Sequence, residues 1–132
     1  MSDRPVARTP GATRAAPGEH VFDLGTVQKI MGGPAYSTAH GACVEGDRMI
    51  VGLMRMKAGT GAEPHSHPNE QWIYILEGTF RATIGEKQVE VKPGSVVYIP
   101  ANVVHAGKAT PDGDVVFFTV KDASHSLHGV KA

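Results

Sequence analysis

The chain has 132 residues, enough for one domain whose core needs no disulfide or metal staple. Thirteen acidic and thirteen basic residues cancel, so neither a nucleic-acid surface nor a polybasic membrane face is expected. Apolar runs such as Val115–Phe118 are far too short to span a bilayer, and the N-terminus lacks the apolar stretch of a secretory signal, which points to the cytoplasm.

Residues 1–18 are rich in Pro, Ala, Arg, Thr and Gly with almost no bulky apolar side chain. Such a segment cannot offset its ordering entropy, so a mobile tail is expected there, with one domain over residues 19–132. Val21-Phe22-Asp23-Leu24 opens that domain, and Thr26–Met31 has room for one helical turn before Gly32-Gly33-Pro34 stops it. Cys43 is the sole cysteine, which excludes an intramolecular disulfide and fits a reducing compartment; it reads as a small residue in a strand or loop.

Beyond this point glycine recurs at short intervals between segments dense in Val, Ile, Tyr, Phe, Thr and Met, the pattern of an all-β sandwich or barrel. Strands are predicted over residues 49–57, 71–77, 79–84, 87–91, 96–99, 105–109 and 115–121. Ile84-Gly85-Glu86-Lys87 reads as a hairpin turn, and Lys92-Pro93-Gly94 as a second turn, with proline setting φ and glycine taking the left-handed conformation.

The chemistry concentrates in His65-Ser66-His67-Pro68-Asn69-Glu70-Gln71 and in the distant His105. Two imidazoles two residues apart on an extended segment share a side, and a third can complete a facial triad suited to a divalent first-row metal. Adjacent strand residues face opposite ways, so Glu70 and Gln71 cannot both reach one ion without a bulge. Tyr36, Arg55 and Tyr98 are candidate pocket-facing polar groups. One strand parity puts Arg55 inside; the other, which is favoured, puts Met54 and Met56 there as core filler. Trp72 and Tyr74 fall on the face opposite Gln71. His125 and His128 are expected on a solvated C-terminal segment, and His20 and His40 have no ligand pattern around them.

Gly59, His65, His67, Gln71 and Gly78 keep the spacing of one motif, and Gly94, Pro100 and His105 that of a second. In these residues the chain resembles the cupin superfamily over roughly residues 45–121. The resemblance implies a double-stranded β-helix (jelly-roll) barrel with a metal in its mouth, held by His65, His67, Gln71 and His105, and a homodimer built on apolar sheet faces such as that of Trp72 or on Val21–Leu24. Three positions depart from the pattern. Gln71 stands where a glutamate ligand is usual, Asn102 where glycine is usual, and Ala109 where the second motif ends in asparagine. Asn102 still permits a left-handed turn.

Three imidazoles and an amide donate no negative charge, so Fe, Mn, Ni or Zn would keep its full divalent charge there. That favours Lewis-acid work on an enolate, dicarbonyl, hydroxy acid or phenol, of isomerase, lyase or hydrolase type. The alternatives are a metal-dependent dioxygenase and a non-catalytic barrel that binds a small ligand. Val116–Val120 carries no acidic residue, and no carboxylate is clearly placed as a general base.

Overall fold

The computed structural model describes residues 5–132, and those residues form twelve strands and no helix. They are β1 (Thr13–Arg14), β2 (Lys29–Met31), β3 (His40–Glu45), β4 (Met49–Met56), β5 (Gly61–Ser66), β6 (Gln71–Glu77), β7 (Phe80–Ile84), β8 (Lys87–Val91), β9 (Val96–Ile99), β10 (His105–Ala109), β11 (Val115–Asp122) and β12 (Val130–Lys131). The larger sheet runs β1-β3-β4-β11-β6-β9, with β2 also on β3; the smaller runs β12-β5-β10-β7-β8. Every pairing is antiparallel except β1 with β3. Strands distant in the chain lie side by side, as β4 and β11 or β5 and β10 do, which is the jelly-roll arrangement of two facing sheets.

Period-two alternation sets the inner face. Val115, Phe117, Thr119 and Lys121 of β11 are buried while Val116, Phe118, Val120 and Asp122 are only half-buried. On β6, Gln71, Ile73 and Ile75 point inward while Trp72, Tyr74 and Leu76 stay exposed. Ile50, Ile75 and Val115 are fully buried at the centre, each contributing roughly 1.5–3 kcal/mol. Met54 and Met56 also belong to this core, which settles the β4 parity and leaves Arg55 outside.

Turn chemistry holds the register. β7 and β8 join through Gly85-Glu86, with Gly85 at φ 59°, the positive value a type II′ turn requires at its first central position. Asn102 has φ 65°, so it takes the left-handed turn its side chain tolerates, and its N–H donates to the His67 carbonyl at 2.8 Å. That bond ties the β9–β10 turn to the loop after β5.

The N-terminal segment departs from expectation. Thr13 and Arg14 pair with Val44 and Glu45, and Thr9 is buried, its hydroxyl accepting from Leu127 N–H at 2.6 Å. The buried Glu45 carboxylate accepts from Arg8 N–H at 2.9 Å and faces the Arg8 and Arg14 guanidiniums. Hydrogen bonds and charge supply what apolar burial does not, so packed structure begins at least by Thr9 rather than at residue 19. Residues 1–4 of the expected tail lie outside the described residues. A turn closes at Asp23–Thr26, ahead of the expected helical turn, and residues 29–31 are strand instead. Val21 is 90% exposed and Val21–Leu24 is not strand.

Candidate metal centre

His65 and His105 are direct cross-strand partners on β5 and β10, with ring centroids 4.1 Å apart. His67 follows just after β5, its centroid 4.8 Å from that of His105. One ligand atom from each of the three lies within 4.8 Å of the others, and all three residues are buried. The β5–β10 register shifts between His105 and Gly107, a bulge of the kind that re-aims side chains. Glycine is required there: a Cβ on Gly107 would lie 2.1 Å from the Phe80 ring.

Each imidazole is set by a carbonyl two residues away. Nδ1–H of His65 donates to Glu63 O at 2.7 Å, that of His67 to Asn69 O at 2.9 Å, and that of His105 to Val103 O at 2.9 Å. A carbonyl can only accept, so Nδ1 carries the proton and Nε2 keeps its lone pair. This is the arrangement of a metal-ligating histidine with its outer partner already in place. Burial pushes the pKa of His65 down to about 3 and that of His67 to about 4, and lowers that of His105. The rings are therefore neutral ligands at neutral pH.

Gln71 completes the wall. Thr119 Oγ1 gives its single proton to Trp72 O at 3.2 Å, so it accepts from Gln71 Nε2 at 2.8 Å. That fixes the amide with Oε1 toward His67 Nε2, 3.1 Å away. Two acceptors then face each other with no proton between them, a repulsive contact that a shared cation converts into attraction. The donor set thus fits a divalent metal. Glu70 faces the other way, accepting from Tyr98 O–H at 2.9 Å.

The site lines a cavity of about 60 Å³ between the sheets, where His65, His105, Gln71 and Thr119 meet an apolar wall including Met54, Ile73, Phe80 and Phe117. Three further residues shape it that the sequence reading passed over. Lys121 lines the cavity at 4% exposure, and its ammonium donates to Leu127 O at 2.5 Å. Burial lowers its pKa to about 7, and its charge in turn lowers the pKa of all three histidines. Asn69, fully buried, donates from Nδ2 to the carbonyls of Asp122, His125 and Ser126, strapping the C-terminal segment to the His67 loop. Leu127, carried on that segment, is part of the cavity wall.

Of the polar candidates, only Tyr36 is at the site. It stacks on His65 at a centroid distance of 4.0 Å and accepts from Gly129 N–H at 2.8 Å. Arg55 is exposed and pairs with Asp114 at 3.1 Å on the outer surface. Tyr98 lies on the outer face, stacked on Trp72 with centroids 4.7 Å apart. His125 is exposed, and His128 bonds to Met31 O at 3.1 Å, so neither ring joins the cluster. His40 bonds to Thr38 O within its own segment. Cys43 is fully buried, and burial pushes its thiol up to about 12, which makes it inert.

The fold and the histidine cluster together define a cupin. Residues 52–121, just over half of the chain, match the model of the Cupin domain, and the chain belongs to that family. An uncharacterised protein of Streptomyces coelicolor is 37% identical over 57 residues, covering 43% of this chain and 54% of that protein. A dimethylsulfoniopropionate lyase of Ruegeria pomeroyi is 31% identical over 65 residues, covering 49% of this chain and 43% of that enzyme. The chain thus spans about half the length of these curated relatives. Among solved structures, the polyketide cyclase RemF of Streptomyces resistomycificus superposes with TM-score 0.69 at 21% identity over 80% of each chain, a likeness of fold. No helix of the described residues is long and apolar enough to cross a membrane.

Proposed function

We propose that this cupin is a small-molecule metalloenzyme whose His65, His67, His105 and Gln71 hold one Fe, Mn, Ni or Zn ion. The observation that carries the reading is three neutral buried imidazoles with one ligand atom each within 4.8 Å of the others, and the Gln71 amide oxygen 3.1 Å from His67 Nε2. A bound divalent ion would supply Lewis acidity toward a substrate oxygen such as that of an enolate, dicarbonyl, hydroxy acid or phenol. The chain's own part is to position. Thr119 holds the Gln71 amide, and the Glu63, Asn69 and Val103 carbonyls hold the rings. Neutral donors leave the ion's divalent charge undiminished, which favours isomerase, lyase or hydrolase chemistry over oxygen activation.

The cavity lining contains no Asp or Glu. A second reading, a non-catalytic barrel binding a small ligand, holds if Lys121, the lining group whose pKa burial brings to about 7, does not serve as the base a proton-transfer enzyme needs. Metal analysis of the untagged protein separates the two. One ion per chain in the wild type and none in His105→Ala supports the enzyme; no ion in either supports the binder. Oxygen-electrode assays with diketones, phenols and catechols then test the dioxygenase alternative. A cytoplasmic location fits the single inert thiol, and a second copy of the chain is the partner proposed for the Trp72 face.

A further inference from the structure

Inside the barrel the charges do not balance. The ligand-bearing histidines are neutral, the fourth donor is an amide, and no carboxylate lines the cavity. Yet Lys121 sits in that lining, almost wholly buried. Its place follows from strand parity. Val115, Phe117 and Thr119 point inward on β11, so Lys121 does too, directly beside Gln71 of β6.

The nearby acids face elsewhere. Asp122 projects to the other face of β11 and accepts from the backbone of Glu70 and Ser124. Glu45 lies two strands away across Ile50 and faces Arg8 and Arg14. Among the described residues Lys121 has no ion pair, and one carbonyl, that of Leu127, accepts from it. An ammonium has three protons to donate, and among the described residues the Leu127 carbonyl is the acceptor it meets. A buried amine in this position gains from a negative partner, which would hold it in its charged form and accept its remaining protons.

We propose that Lys121 binds the carboxylate of a short-chain organic acid, whose other oxygen-bearing end faces the imidazole cluster. This rests on the metal-centre reading for the second end of the ligand and goes beyond it in naming the anionic class. The cavity, at about 60 Å³, admits a ligand of only a few heavy atoms within the barrel. Away from the histidines, Gln71 and Thr119 much of its wall is apolar, and among the described residues Lys121 is the one Lys or Arg in the lining, which suits a single carboxylate on a short hydrocarbon stem rather than a phosphate.

Calorimetric titration of the full chain, metal-loaded and chelator-treated, with propionate and with its neutral isostere propionamide tests this. In the chelator-treated wild type, propionate should bind about thirtyfold or more tightly than propionamide, and Lys121→Met should erase that preference. Equal affinity for acid and amide in the chelator-treated wild type overturns the proposal, as does unchanged propionate affinity in a folded K121M. If K121M does not fold, spectra of the wild type with ¹⁵N-labelled lysine decide. Propionate must move the Lys121 Nζ resonance, and a resonance that stays put overturns the proposal. Metal content is read separately. A wild type that takes up no ion but still prefers the acid overturns the metal reading and supports Lys121 as the anion site; a loaded protein indifferent to K121M does the reverse.

Discussion

His105 stands directly opposite His65 across the β5–β10 ladder, although forty residues and two sheets' worth of turns separate them in the chain. Cross-strand pairing, rather than a local loop, is what brings His105 to the other two histidines. His105→Ala should therefore cut metal from about one ion per chain to below about a tenth, without unfolding the protein. Bound ion stabilises the native state by mass action, so chelation should lower the melting temperature of the wild type and leave H105A unmoved. Elemental analysis and thermal melts in parallel check both.

Thr119 acts on the site through Gln71. Thr119→Val removes the acceptor that orients the amide, with little change in volume. Metal affinity should fall roughly 10- to 100-fold, as for other outer partners of metal ligands, with overall stability changing far less. Gln71→Glu should move affinity the other way, by adding a negative charge beside the ion. Competition titration against a chromophoric chelator reads all three proteins; a T119V affinity equal to wild type would mean that the amide is not a ligand.

The metal-free protein should lose stability as pH falls. Burial holds the folded pKa of His65 near 3 and of His67 near 4, below the unfolded value of ~6.5. Between those limits the unfolded chain binds more protons, so unfolding becomes easier with each step down from about pH 6.5 to 4. Lys121 has the same sign in a higher window. Its folded pKa of about 7 lies below its unfolded value, so stability rises from about pH 7 to 10. Urea denaturation across pH should show both slopes, and K121M should flatten only the alkaline one.

Asn69→Ala deletes the amide that serves the Asp122, His125 and Ser126 carbonyls. Leaving such groups without their partner costs about 1–3 kcal/mol. Hydrogen exchange should quicken over residues 122–127, while the His67 ring keeps its backbone partner because the carbonyl of residue 69 remains.

Trp72, Tyr74, Leu76, Val96 and Tyr98 form an exposed apolar face, each at least 40% accessible, on paired strands β6 and β9. A contiguous patch of this kind on a small protein marks a contact surface. Light scattering should find a dimer for the wild type and a monomer for Trp72→Glu; a wild-type monomer would leave that face for another partner.

Much of this architecture is legible in the chain itself. The strands from Gln71 to Asp122 are bounded within a residue because they alternate cleanly and are separated by Gly, Pro and Asn turns. β3 is hidden by its own small residues: Gly41, Ala42 and Cys43 carry little strand propensity and are buried by neighbours on both sides. β5 contains Gly61, Ala62 and Pro64, which read as loop until β10 and β12 pair with it. At the site, the three histidines and Gln71 follow from spacing, whereas Asn69 and the C-terminal strap depend on a fold-back that no local pattern encodes. Lys121 was within reach: inward Thr119 already implies it, but a lone lysine at a strand end reads by default as solvated.

Each imidazole takes its tautomer from a carbonyl no more than two positions away along its own backbone. The three imidazoles, without Gln71, thus form a cassette whose tautomers are set locally. Its protonation pattern travels with the segments 63–69 and 103–105, so grafting those two stretches onto another jelly-roll scaffold of matching ladder register should carry ion affinity with them, while the discrimination among ligands stays behind with β11.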